Sequence, residues 1–313
     1  MDLKGRWYRL TINNNTTNVQ TVISNTLNIA FKVGKRIDHT KSLPEATVDI
    51  YNLSDDTLRA ISGKYVTVVL EVGYQYTDST GTLQDNTAPI LVGASLYNTS
   101  KRVGHDRVTT LHVTEGYLPL HSAIISVSFP PSTTLLGVIQ GAVQAANALT
   151  ASPLAIGKVL PSVLTTPLVS GWCHMGTLQT LLNTLAKAYN FTWGINKGVV
   201  QFHDKHGTSS AAIKQATVLS SDTGLIRVPT PHEYSFSDLN PDSGKNEKAV
   251  RYVGVRLECL LNPHLGPGSV LQVQSLESQF NHWYLIRDID FVGEWMGASW
   301  ECVILADQAN AVG

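Results

Sequence analysis

Charge is what this sequence has least of. Only 15% of its 313 residues are Asp, Glu, Lys or Arg, against about 25% in an ordinary globular chain. The 23 basic and 24 acidic residues nearly cancel, leaving a net charge of −1 and a pI near 6.8. No basic stripe stands out, which argues against a protein that grips nucleic acid by displacing counterions from its backbone. Cysteine is scarce too. Cys173, Cys259 and Cys302 have neither metal-ligand nor disulfide spacing and read as three reduced thiols. No apolar run approaches the roughly 18 residues of a membrane span, and the opening MDLKGRWYRL lacks the apolar stretch of a signal peptide. The chain is expected to be made in the cytosol, with no membrane anchoring.

Motifs of catalysis are missing as well. There is no G-x-S-x-G, no H-E-x-x-H, no phosphate-binding glycine run and no G-x-G-x-x-G. His203 and His206 flank Asp204 at a spacing that could bind a metal on a helix, but they follow a strand and run into a Gly/Ser loop, so a solvated hairpin end is expected. Asp288 and Asp290 share one face of a strand, ~7 Å apart by strand rise. With Glu294 they could suggest the carboxylates of a glycoside hydrolase. Arg287 is adjacent and nothing marks a raised pKa, so a solvated or ion-paired strand face is the reading. The remaining histidines are scattered. The tryptophans sit at strand positions that suit core or interface packing better than sugar stacking. No catalytic, cofactor-binding or metal-ligating residue is assigned.

What is present is strand and turn. From Glu45 to Tyr74 the chain reads EATVDIYNLSDDTLRAISGKYVTVVLEVGY. Ala46, Val48 and Ile50 alternate with Thr47, Asp49 and Tyr51, as on a half-buried strand. Asn52 breaks the pattern. Ser54 is a good N-cap, followed by Asp55 and Asp56 in the first turn. Leu53 and Leu58 occupy the N′ and N4 positions of a hydrophobic staple, Leu58 and Ile61 share a face, and Gly63 is placed to be C′. Alternation resumes at Val66, Val68, Leu70 and Val72. A charge at Leu58 is expected to break the staple and destabilise this segment by several kcal/mol.

The whole chain falls into three parts. Residues 1–117 are β-rich: strands at Trp7–Ile12, around Leu27–Val33, through the interrupted pair above, and at Ile90–Tyr97 and Arg107–Thr114. Gln75–Pro89 reads as a polar hairpin tip or loop. In residues 118–215, Ser132 can cap a helix through Leu135, Leu136, Ile139, Val143 and Ala146. Gly176 and Thr177 start a second, with an amphipathic stripe from Leu178 to Tyr189 and Asn190 at its end. A hairpin follows across the three-residue loop Asn196-Lys197-Gly198. Ala151–Ser170 reads as an irregular connection. Residues 216–313 return to strands at Val255–Leu261, Val270–Val273, Trp283–Val292 and Ser299–Leu305, with His232–Asn246 as a polar loop. The expected fold is mainly β with an α+β insertion: two β-barrel domains, 1–117 and 216–313, flanking a small α+β domain, 118–215.

The low charge leaves two readings open. Partners could cover much of the surface, since interface cores are depleted in charge, or a threonine-rich β-protein could present neutral polar groups to water.

Four stretches, in order, resemble a known family: IYNLSDDTLRAI with VTVVLEVGY, DTGLIRVP at Asp222–Pro229, GVRLECLLNPHLGPGSVLQV at Gly254–Val273, and FVGEWMGASWECVI at Phe291–Ile304. Together they resemble the central baseplate hub proteins of contractile-tail bacteriophages, the Mu-type hub and its late-control-protein-D relatives. The physics of these stretches is that of shape. Asn262-Pro263 and Gly266-Pro267-Gly268 end one strand and start the next, proline fixing φ and glycine supplying φ > 0. Leu260 and Leu261 before the turn, with Val270 and Val273 after it, would close a barrel corner. Gly224 and Pro229 bound the apolar lead-in Leu225–Val228. With Asn52, Leu53, Ser54, Leu58 and Trp295 these form a structural signature. The resemblance implies a homotrimer whose paired tube-like barrels face a sixfold tail tube or tube initiator. A trimeric central spike lies below and wedge or other baseplate proteins alongside, while tape-measure protein and phage DNA pass transiently through the lumen. It implies a virion tail protein assembled in the bacterial cytoplasm, with no cofactor and no enzyme activity. The alternative is a carbohydrate-binding or cell-wall-degrading tail module.

Overall fold

A computed structural model of the chain describes residues 5–39, 43–63, 66–150, 152–159, 162–204, 216–236 and 250–309. The first part contributes β1 (Arg6–Asn14), β2 (Val19–Ser24), β3 (Ile29–Arg36), β4 (Glu45–Tyr51), α1 (Asp55–Ile61), β5 (Thr67–Thr77), β6 (Leu83–Val103) and β7 (Asp106–Thr114). They lie side by side in the order β3-β4-β7-β6-β5-β1-β2. Each inward set follows the period of two: Tyr8, Leu10 and Ile12 on β1, Ile29, Phe31 and Val33 on β3, and Val68, Leu70 and Val72 on β5 are all buried.

Gln75–Pro89 is mostly strand rather than loop. β5 runs to Thr77 and β6 starts at Leu83, paired through Gln75↔Asp85 and Thr77↔Leu83. Only Asp78–Thr82 turns. There the Asp78 carboxylate accepts from the backbone N–H of Thr80 at 2.9 Å and of Thr82 at 3.0 Å. Side-chain bonds from Thr80 and Gln84, with these backbone bonds, hold its pKa down at about 2. A hairpin with no buried face shows no hydrophobic alternation, so periodicity alone does not find it.

α1 is the capped helix expected after Asn52. Asn52 takes a left-handed φ of 58°, which asparagine tolerates better than most residues. The Ser54 hydroxyl accepts from the Thr57 N–H at 3.1 Å. Two details differ from expectation. The helix stops because Ser62 is extended, φ −71° and ψ 122°, and Gly63 does not supply a left-handed cap. Leu58 is only half-buried, whereas Leu53 and Ile61 are buried in the core. The docking face is therefore Leu53 and Ile61, helped by the Asn14 amide, which donates to the Ala60 and Ser62 carbonyls at 3.0 and 3.3 Å.

The middle part contains a π-helical turn at Leu118–Ser122, β8 (Ile124–Phe129), α2 (Leu135–Asn147), β9 (Ala155–Val159), a 3-10 turn at Ser162–Thr165, β10 (Trp172–Thr177), α3 (Leu178–Tyr189), β11 (Phe191–Asn196) and β12 (Val199–Asp204). α2 is capped by Thr134, whose hydroxyl accepts from the Gly137 N–H. Ser132, expected as the cap, has φ 69° and lies outside the helix. α3 starts at Thr177 and ends at Asn190 in a left-handed conformation, φ 55°. The hairpin loop has two residues, not three: Asn196 pairs with Val199, and Lys197 and Gly198 both have positive φ, 57° and 76°. That is the conformation a right-twisted hairpin favours. The segment expected to be irregular holds β9, which pairs parallel with β12. This part has its own core, with Leu181, Leu182, Trp193 and Phe202 at its centre.

The last part holds β13 (Thr217–Ser220), β14 (Thr230–Phe236), β15 (Val250–Leu260), β16 (Val270–Gln274), a 3-10 turn at Ser278–Phe280, β17 (Trp283–Glu294) and β18 (Trp300–Gln308). His232–Phe236, read as loop, pairs with β15; the rest of that stretch to Asn246 lies outside the described residues. The fold is mainly β. β17 joins the first and last parts into one sheet: its Asp288–Glu294 half pairs with β3, Phe291 opposite Val33, while its Trp283–Leu285 half pairs with β16. Arg287 is the extra residue of a bulge between the halves, and a bulge bends its strand. Buried side chains from both parts form one continuous core. The main path stays open, from β14 to β2, and no ladder closes it into a barrel among the described residues.

Because Ile61 is 1% exposed and Leu58 half-buried, Ile61→Asp is expected to lower the free energy of unfolding by about 3–5 kcal/mol and Leu58→Asp by about 1 kcal/mol, read from urea transitions of the two variants. Equal losses would show that α1 docks through both residues alike.

Candidate functional site

The signature residues fall in four places. Asn52 closes the β4–β7 ladder, with its N–H donating to the Arg107 carbonyl at 2.7 Å and its side-chain oxygen accepting from the Arg107 N–H at 3.0 Å. Leu53, Ser54 and Leu58 belong to the start of α1. Trp295 lies at the β17–β18 turn, edge-on to Tyr8 at 5.4 Å, its backbone N–H donating to Ile29 at 2.9 Å. Arg6 grips the same turn, donating to the Gly297 carbonyl at 2.6 Å and the Ala298 carbonyl at 3.1 Å. Gly224 has φ 113° and its carbonyl accepts from the Leu260 N–H at 2.8 Å; Pro229 is buried at the foot of β14.

The fourth place brings all three parts together. The turn Asn262-Pro263-His264-Leu265-Gly266-Pro267-Gly268 lies against the β11–β12 hairpin. A Cβ on Gly266 would stand 2.7 Å from the Asn196 amide, and one on Gly268, at φ 79°, 2.5 Å from the His203 ring. The left-handed φ of Gly268 favours glycine, and a side chain at Gly266 would have to displace the Asn196 amide. Lys197, at the hairpin tip, donates from Nζ to the Pro263 carbonyl at 2.9 Å. Beneath it sits a buried charge pair, Lys35 of β3 with Glu115. The other Glu115 oxygen accepts from the Val92 N–H of β6 at 2.8 Å, and the Lys35-bound oxygen also accepts from the Lys197 N–H at 3.3 Å. Burial pushes the Lys35 ammonium down, and Glu115 pulls it back up. Lys35 continues the inward alternation Ile29, Phe31, Val33, which is why a lysine ends up where an apolar side chain is the norm.

β3 runs on past the sheet into the middle part. The His39 N–H donates to the Trp193 carbonyl at 2.8 Å, and His39 Nδ1 accepts from the Ile195 N–H at 3.2 Å. Gly194 is required here, since a Cβ would meet the Arg36 carbonyl oxygen at 2.7 Å. Burial, helped by the nearby Lys35 charge, lowers the His39 pKa to about 4. Nothing in the sequence singled out Lys35, His39 or Glu115. The signal for Lys35 was available: a charge in phase with apolar neighbours.

The chemical candidates of the sequence are placed as follows. His203 is buried against Gly268 rather than solvated; His206 lies outside the described residues. Asp288 stands opposite Arg36, and Asp290 opposite Gly34. Burial raises the Asp288 pKa, against the pull of Arg36 and Arg287. That raised value was not expected, because the burial of Asp288 where β17 pairs with β3 is invisible in the sequence. Trp193 and Trp300 are core residues. Among the described residues no group of three His, Cys, Asp or Glu side chains could hold a metal ion, and no helix is long and apolar enough to cross a membrane. Exposed apolar side chains occur at several places among the described residues, a cleft and an arm among them. The cleft is lined by Ile226, Val228 and Leu276 among others, which are 44%, 38% and 92% exposed. The β5–β6 arm shows Tyr76 and Leu83 at 51% and 59%. The arrangement offers docking geometry.

The fold is shared with bacteriophage tail and type VI secretion proteins. A 43 kDa tail protein of prophage MuSo2 from Shewanella oneidensis superposes with a TM-score of 0.60 at 10% identity, over 97% of this chain and 98% of that one. A tail protein from Neisseria meningitidis MC58 gives 0.56 at 9% identity, over 96% of each chain. The E. coli c3393 protein, a type VI secretion component structurally similar to the T4 tail proteins gp27 and gp5, gives 0.56 at 10% identity over 91% of this chain and 74% of that one. No family model and no curated protein matches the chain.

Removing one partner of a buried ion pair leaves the other charge stranded, so Glu115→Ala is expected to lower the unfolding free energy by about 3–5 kcal/mol in urea denaturation, and the double change Lys35→Met with Glu115→Leu by much less. Folding favours the neutral His39 ring, so its contribution is complete above pH 6.5 and is lost as the pH falls through about 4. Between pH 7 and 4.5 this amounts to about 2 kcal/mol, a drop that urea transitions of His39→Gln should show reduced.

Proposed function

We propose that the chain is the central baseplate hub of a contractile bacteriophage tail. It is a structural adaptor without catalytic activity. The observation that carries this reading is the superposition on the prophage MuSo2 tail protein over nearly the full length of both chains. In the proposed assembly three copies form a ring. The β parts, residues 1–117 and 216–313, act as two tube-like units within the open sheet of each subunit and match the sixfold tail tube or its initiator. The α+β part, 118–215, and the underside of the ring meet the trimeric spike and the wedge or other baseplate proteins. Tape-measure protein and phage DNA pass through the lumen.

Several features support this reading. Only 15% of residues are charged, as suits surfaces covered by partners. The signature residues Asn52, Leu53, Ser54, Leu58, Gly224, Pro229, Asn262, Pro263, Gly266, Pro267, Gly268 and Trp295 serve turns, caps and close approaches, the needs of a scaffold. The exposed apolar side chains of the Ile226–Val228–Leu276 cleft and of the β5–β6 arm give partners surfaces to cover. A ring is the closed solution for copies that meet head to tail.

Mass photometry of the protein with its spike is expected to give particles containing three copies of the 34.0 kDa chain, and antibody against it should label the boundary between tube and spike in electron micrographs of tails. A chain that stays monomeric beside the spike, or a label running the length of the tube, overturns the hub reading.

A further inference from the structure

Two of the three cysteines, far apart in sequence, meet in the core. Cys259 of β15 and Cys302 of β18 are directly opposite in the antiparallel register, at 1% and 0% exposure. Each lies in phase with buried neighbours, Leu257 and Leu261 on one strand, Trp300 and Ile304 on the other, so both thiols point to the same side of the sheet. The Leu261 N–H donates to the Trp300 carbonyl at 3.1 Å, which makes 261 and 300 a hydrogen-bonded pair. Two residues along, Cys259 and Cys302 are a hydrogen-bonded pair as well, with Cα atoms about 5.5 Å apart. Disulfides span about 4.4–6.8 Å between Cα atoms. The Asn262 N–H donates to Cys302 Sγ at 3.4 Å, and burial together with the neighbouring Cys259 thiol pushes the Cys302 pKa up. Cys173 is exposed on β10, remote in the chain's middle part.

We propose that Cys259 and Cys302 are a latent modification site, forming an intramolecular disulfide with a small disulfide oxidant such as oxidised glutathione. One thiolate attacks a glutathione sulfur, breaking its S–S bond and releasing the first glutathione thiolate. The second cysteine thiolate then attacks the protein sulfur of the mixed disulfide and releases the second glutathione. Two protein thiols lose two protons and two electrons, and one oxidised glutathione becomes two reduced ones. Both thiols are buried and out of reach in the closed sheet, and burial pushes the Cys302 thiol pKa up, so exchange proceeds through local opening of β15 from β18. On closing, the register returns the two sulfurs to one another. The result is a covalent staple across the strand pair that carries the Asn262–Gly268 turn. This inference is independent of the hub reading.

The test uses the full chain with Cys173→Ser, which removes the exposed thiol. The protein is incubated with oxidised glutathione at the foot of its urea transition, returned to buffer, and digested without reductant. The expected result is an intact mass lower by two hydrogens, a linked peptide pair containing Cys259 and Cys302, and a raised melting temperature that dithiothreitol reverses. Adding Cys259→Ala should leave only a glutathione adduct on Cys302. Two free thiols after prolonged exchange, stable adducts without the linked peptide, or a linked protein that melts below the reduced one would each overturn the proposal.

Discussion

A lysine ammonium buried beside a glutamate holds this molecule together in a way no apolar contact does. An unpaired charge in the interior is far costlier than an unfilled apolar site, so the Lys35–Glu115 pair is compatible only with the arrangement that brings its partners into place. Those partners come from β3, from β6, from the end of β7 and from the tip of the β11–β12 hairpin. Lys197 extends the set to Pro263 in the last part. The glycines of the Asn262–Gly268 turn and Gly194 are the steric side of the same constraint, since a Cβ on them would run into the Asn196 amide, the His203 ring or the Arg36 carbonyl oxygen. Hydrophobic burial forms two cores, one shared by the first and last parts and one within the middle part; this polar knot lies where the three parts meet.

Much of this was legible in the sequence, for identifiable reasons. β1, β3, β4 and the strands of the last part alternate over one buried face, and α3 carries an unbroken apolar stripe, so their period announces them. The cap at Ser54 and the stop at Asn190 were also readable, because side-chain chemistry there is local. What escaped depended on partners distant in sequence. The outer halves of β5 and β6 have no buried face and are strands only because they pair with one another. β9 is five residues long and exists through β12. Ser132 looked like the better cap, but its left-handed backbone gives the role to Thr134. Neither the raised carboxyl of Asp288 nor the meeting of Cys259 with Cys302 can be found without the strand register.

The signature residues are a related lesson. They were chosen as turns and caps, and the structure gives several of them a second duty at a boundary. Gly266 and Gly268 meet the middle part and Trp295 meets Tyr8 of the first strand, while Gly224 packs on Leu260 within the last part. A scarcity of charge, an abundance of such boundary glycines and apolar side chains left in water describe a body shaped to fit others. The proposed place in a tail gives those surfaces an occupant.

The seam between β3 and β17 has a consequence for how the chain comes into being. Val33 and Phe291 pair across it, although nearly the whole polypeptide separates them. No such pairing can form until the last strands have left the ribosome, and contacts of such long range close slowly. Until then β3 presents an open edge, a template for misplaced strands. The short apolar strands around Ile29–Val33 are therefore at greatest risk during synthesis, and the yield of folded protein depends on how soon the C-terminal hairpin arrives to cover them.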